Sequence, residues 1–188
     1  MEVGLIIEMA SNTSLVTHYS VNHRTFGLCL LRHEDNEQRL VGRIQSLPSF
    51  AFSPLFAPVV IAGIAVYDMG GQAALAFQTA MDTESALGYW SSDTGNRVEK
   101  DLNFSQMIQS LNLLSIRVAD AEFVQSKTIS TLDFLNEQLL VWPKEPGALI
   151  GIELQEQVRW LRRCNLDAIT VSKRTKDSVH LLTQTVCP

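Results

Sequence analysis

Positive charge is scarce in this chain: 15 lysines and arginines stand against 20 aspartates and glutamates, a net charge of −5 spread without blocks. That balance offers no basic footprint for nucleic acid and no polybasic anchor for anionic lipid. Cysteine is scarcer still. Cys29, Cys164 and Cys187 are odd in number and far apart, which suits reduced thiols in the cytosol and not a disulfide framework. The N-terminal stretch MEVGLIIEMASNTS lacks a basic n-region, carries an acid at Glu2, and has its apolar run interrupted by Glu8. It makes a poor signal peptide. Charged residues amount to only 19% and hydrophobic residues to 46%, a mixture that argues against wholesale disorder. With 188 residues the chain is long enough to bury a sizeable core.

The motifs of common chemistries are missing as well. There is no Cys-x-x-Cys pair, no His-Glu-x-x-His helix, no phosphate-binding glycine loop and no Gly-x-Ser-x-Gly elbow. DMGGQ at Asp68 to Gln72 contains two glycines, but without the lysine or the strand-to-helix setting that phosphate cradling needs. His18 and His23, five residues apart, do not fall on one face of a strand and so do not share a metal. Cys164 lies one position off a helical seam described below and reads as a small buried hydrophobe. Asp82, Glu84, Asp93 and Asp101 bracket a polar break and read as a solvated loop and not a cation site. No catalytic, cofactor-binding or metal-ligating residue is assigned, and no cofactor is expected.

What the chain does contain is periodicity. SLVTHYSVNHRTFGLCLLR alternates apolar and polar residues around Val16, Val21 and Phe26 and places Asn22-His23 where a turn falls, which predicts a β-hairpin. Leu40, Val41, Ile44 and Leu47 then recur at helical spacing, predicting a short amphipathic helix from Glu34 to Ser46 that ends near Pro48. A long apolar helix is expected from about Pro54 to Leu87. Pro54 and Pro58 are tolerable in its first turns, and Gly70-Gly71 is a candidate kink.

After the break GYWSSDTGNR, Met107, Leu111, Leu114, Val118, Ala121, Gln125, Thr128, Leu132, Leu135 and Leu139 step by four and three in alternation, a heptad seam with a polar centre. WPKEPG stops that helix. A last helix, from about Ala148 to Thr185, carries a second seam: Val158, Leu161, Asn165, Ala168, Ser172, Thr175, Val179 and Leu182. Two long helices joined by a proline-containing turn should pack antiparallel and bring their polar centres near each other. Such a centre reads as a device that fixes register, in preference to a ligand site.

The most apolar stretch, SPLFAPVVIAGIAVYDMGGQAALAF, asks whether it crosses a membrane. Leu55 to Phe77 is long enough to do so at helical rise. Composition opposes it, because Asp68 near its middle costs roughly 2.5–3.5 kcal/mol while each strongly apolar side chain returns only about 0.3–0.6 kcal/mol. Gln72, three glycines and Pro58 add to the penalty. A helix apolar on most sides is also what a central core helix needs, and that is the expectation here.

Laid end to end, THYSVNHRTFGLCLL, SFAFSPLFAPVVIAGI, LNFSQMIQSLNLLSIRVADAEFVQSKTISTLDFLNEQL and VSKRTKDSVHLLTQTV resemble the cytosolic part of fungal CorA-like proteins. The resemblance rests on Arg24-Thr25 closing the hairpin, on the Pro-Leu-x-x-Pro element Pro54-Leu55-Phe56-Ala57-Pro58, and on Arg174-Thr175 in the last helix. It implies a fold of long paired helices and descent from a transporter. The Gly-Met-Asn tripeptide of the family's pore is absent and the chain ends at Pro188, so no transport activity or ion-coordinating residue carries over.

The expected fold is mainly α: long antiparallel helices, bundle-like or coiled-coil-like, with a small N-terminal β-hairpin. Residues 1–100 would form the hairpin and apolar-helix subdomain and 101–188 the helix pair, the two making one structural unit. The expected function is a non-enzymatic, soluble, cytoplasmic protein–protein interaction or regulatory module. Its seam residues Met107, Leu111, Leu114, Val118, Leu132, Leu135, Leu139, Val158, Leu161, Val179 and Leu182 would associate with each other or with a partner. One alternative is a membrane-associated CorA-like protein, or a truncated relative of a divalent-cation transporter, that uses residues 55–77 as a span. A second is an enzyme whose site is assembled from residues too far apart to recognise.

Overall fold

The computed structural model describes residues 2–9, 12–19, 24–31, 34–87, 104–141 and 148–186. Three strands, β1 (Glu2–Met9), β2 (Asn12–Tyr19) and β3 (Arg24–Leu30), are followed by α1 (Glu34–Ser46), a 3-10 helix (Pro48–Phe52), α2 (Phe56–Ala86), α3 (Phe104–Val141) and α4 (Ala148–Val186). The protein is mainly α, as its periodicity predicts. The predicted hairpin is β2 and β3, with Tyr19 opposite Arg24; Asn22-His23 lies outside the described residues. An unpredicted strand, β1, pairs antiparallel with β2 from Glu2↔Tyr19 to Met9↔Asn12, so the hairpin is two-thirds of a β1-β2-β3 sheet.

By compactness the described residues fall into two units, 1–69 with 124–166 and 70–123 with 167–188. This division runs across the long helices, whereas the division at residue 100 expected from sequence runs between them.

In the first unit the core is built on the N-terminal half of α2. Leu55, Phe56, Val59, Val60, Ile61, Ala62, Ile64, Ala65 and Val66 are buried with Leu132, Leu135 and Leu139 of α3 and Leu154, Val158 and Leu161 of α4. Residues 56–66, the first part of α2, carry no polar side chain to turn to water, and all of them are buried or half-buried. Asp68 is accommodated at its edge: Arg39 Nη1 donates to Asp68 Oδ1 at 3.0 Å, and the same guanidinium lies over the Tyr67 ring at 5.0 Å. Cys29, Leu31 and Cys164 pack half-buried against this core, while Leu28 and Leu30 face outward.

The α1 helix starts with Glu34, Asp35 and Glu37 and carries Arg43 in its last turn, the charge order that suits the helix dipole. It ends where Leu47 N and Ser46 Oγ both donate to Arg43 O. Its buried face differs from the predicted one. Asn36 and Leu40, four residues apart, are buried, whereas Val41 and Ile44 are exposed. One i, i+4 pair is all that α1 lays on the core.

The second unit has a smaller core, Ala80 of α2 with Leu111, Leu114 and Val118 of α3 and Val179 and Leu182 of α4, flanked by Ala76, Leu87 and Met107. Helix α2 runs unbroken across Gly70 and Gly71.

The pairing of α3 with α4 is antiparallel. In the first unit, cross-helix bonds join Gln155 to Asn136, Arg162 to Asp133 and Asn165 to Gln125, later positions in α4 meeting earlier ones in α3. In the second, Lys176 meets Glu122 at 2.7 Å.

Candidate docking face

Every seam residue predicted on α3 and α4 points inward. Leu111, Leu114, Val118, Leu132, Leu135, Leu139, Val158, Leu161, Val179 and Leu182 are buried, and Met107 is half-buried at the margin of the smaller core. Leu154 continues the α4 seam one step earlier and is fully buried; the prediction missed it. The structure gathers Leu132, Leu135, Leu139, Val158 and Leu161 in one core and Met107, Leu111, Leu114, Val118, Val179 and Leu182 in the other. Filled by its own chain, the seam cannot also be the surface shown to a partner.

The polar positions of the seam are buried too. In the first unit Asn165 Nδ2 donates to Gln125 O at 2.9 Å, and Thr128 Oγ1 donates back along its helix to Val124 O at 2.8 Å. Asn165 Oδ1 is buried without a hydrogen-bond partner. In the second unit Ser172 and Thr175 are buried, and Thr175 Oγ1 donates to Val171 O. The Asn165 amide ties α4 to the α3 backbone, which is the behaviour of a register-setting residue.

The second unit also holds a cleft of about 350 Å³. Ala73 and Ala76 on α2 and Ala121 on α3 supply short side chains that leave the space unfilled, and Leu114 and Val118 form its apolar floor. Gln72, Leu75 and Thr79 of α2, Arg117 and Asp120 of α3 and Ser172 of α4 complete the lining. Thr79 Oγ1 is engaged with Leu75 O at 2.9 Å. The ionisable groups of the cleft, Arg117 and Asp120, are both exposed. The lining sets an apolar floor beneath a rim of polar and charged side chains.

Alongside the cleft runs a feature the sequence reading overlooked. Leu113, Ile116 and Phe123 are exposed by 50%, 60% and 72%, and Leu75 on α2 by 65%. Positions 113, 116, 120 and 123 follow the same three-four-three stepping as the seam but on the opposite side of α3. A second periodicity, out of phase with the first, is the signal that could have revealed it. Large apolar groups aligned on one exposed face mark a contact surface, whereas scattered ones do not.

Among the described residues no cluster of three or more His, Cys, Asp and Glu is placed to hold a metal ion. Asp82 accepts from Gln78 Nε2 at 2.8 Å; His23, Asp93, Asp101 and Cys187 lie outside the described residues. Helix α2 is long and apolar enough to cross a membrane, and half of its most apolar window is buried inside the protein. Comparison with protein-family models, curated proteins and solved structures finds no match to this chain.

Proposed function

We propose that the chain is a non-enzymatic helical docking module, soluble in the cytoplasm, whose partner-binding surface is the outward face of α3 in the second unit and the cleft beside it. One observation carries this reading. The inward seam of α3 is already filled by α4 and α2 side chains, yet the helix bears Leu113, Ile116 and Phe123 on its solvent face. Apolar groups in such a row cost solubility unless something covers them. A photo-crosslinking amino acid at Ile116 in cells should give an adduct of discrete mass, while one at exposed Lys173 should give none. Failure to trap any protein from Ile116 would overturn the docking reading.

The resemblance to the cytosolic part of fungal CorA-like proteins stands within this proposal as a statement about fold and descent. It is supported by the order of small sheet, short helix, apolar helix and long antiparallel pair. A membrane-associated protein is the second reading, favoured by the length and apolarity of α2. Against it stands the burial of residues 59–66 within the first unit's own core. Carbonate extraction separates the two: the module stays in the supernatant, and a spanning protein stays in the pellet.

A further inference from the structure

We propose that the cleft of the second unit is a binding site for a free α-amino acid with a large apolar side chain; this goes beyond the docking reading and does not depend on it. Two opposite charges face this cavity without meeting each other. Arg117 and Asp120, one turn apart on α3, both line the cleft, and neither forms an ion pair with the other or with any other described residue. An i, i+3 pair on a helix stands with its Cβ atoms about 5–6 Å apart. Across that span one ligand can offer a carboxylate to the guanidinium and an ammonium to the carboxylate, both from a single carbon. A ligand with one charge would satisfy one group and set that charge beside the like charge of the other. The rim therefore selects a zwitterion over a fatty acid or an alkylamine. Gln72, across the cleft on α2, adds an amide that can donate or accept beside the head group. Beneath the charges, Leu114 and Val118 form the apolar floor, and the short side chains of Ala73, Ala76 and Ala121 leave room above it. A volume of about 350 Å³ is at the small end of ligand sites, enough for one amino acid with a branched or aromatic side chain and too little for a dinucleotide. All the lining residues belong to the second unit.

The test is titration of the purified, isotope-labelled full-length chain with L-leucine, L-phenylalanine and L-tryptophan, read by amide chemical shifts. At least one of the three is expected to saturate the shifts of Ala73, Ala76 and Ala121 at millimolar concentration, the affinity that so few ligand atoms can supply. Glycine, which has the head group without the apolar body, should move none of them. The N-acetyl and amide derivatives of the same amino acid each lack one charge and should bind the wild type at least about threefold more weakly. R117Q and D120N, both at exposed positions, should weaken the parent amino acid by a similar factor. In R117Q the amide should bind as well as the parent, and in D120N the N-acetyl form should, because the group that reads each charge is gone. No saturable shift with any of the three, derivatives that bind the wild type as well as the parent, or variants that keep the wild-type preference would overturn the proposal. Crosslinking from Ile116 reports on the docking face separately: an adduct there without amino-acid binding removes this site and keeps that face, and binding without an adduct does the reverse.

Discussion

At the scale of single residues, position along the seam decides the outcome. Leu114 and Leu132 are buried at 4% and 0% exposure, so L114D and L132D leave an uncompensated charge in a packed site and should each destabilise by several kcal/mol. Q109D, on an exposed position of the same helix, should be nearly silent in thermal unfolding. Asn165 tests the polar layer from both directions. Because its Oδ1 is buried without a partner while its Nδ2 donates to Gln125 O, N165L removes an unmet polar atom together with one buried bond, and the two should nearly offset, leaving the unfolding midpoint little changed. N165D puts a carboxylate beside the Gln125 carbonyl and should lower it sharply. Should leucine and aspartate behave alike at 165, the amide is not buried as described.

Among the elements, α2 makes the clearest demands. Asp68 forms an exposed pair with Arg39, with side chains 33% and 44% accessible, so D68L should cost no more than about 1 kcal/mol and leave the chain soluble. Transfer of the leucine variant to the carbonate-resistant pellet would show that the charge was keeping α2 out of a bilayer. Within the same helix an added methyl at Gly63 would sit 3.7 Å from Leu161, an ordinary contact, and at Gly71 would meet nothing within 4 Å. Both G63A and G71A should therefore stabilise by about 0.5–1 kcal/mol through helix propensity alone, measurable in denaturant. These elements also show why some of the fold is legible in sequence and some is not. The α3 and α4 seams stand out because leucines alternate with charged and polar groups, so phase is written in the contrast. Helix α2 has no such contrast, and its location can be read while its orientation cannot. In β1 the consecutive Leu5, Ile6 and Ile7 blur the alternation that revealed β2 and β3. The cleft is invisible beforehand because it arises where alanines from two helices fail to fill space, and no motif announces a gap.

For the whole molecule, the concentration of burial in residues 59–66 predicts where protection will be greatest. Their amides should exchange with solvent only at the rate of global unfolding, and those of α1, which lays one i, i+4 pair on the core, much sooner. Equal protection of the two in a hydrogen-exchange experiment would contradict the observed core. The same burial has a consequence for how the protein is made. The ribosome delivers α2 before the α3 and α4 residues that cover it, Leu132 and Leu135, then Leu154, Val158 and Leu161. At ordinary elongation rates the delay is on the order of ten seconds. For that interval residues 56–66, which carry no polar side chain, stand uncovered at the tunnel exit, an apolar surface of the kind that chaperones exist to shield.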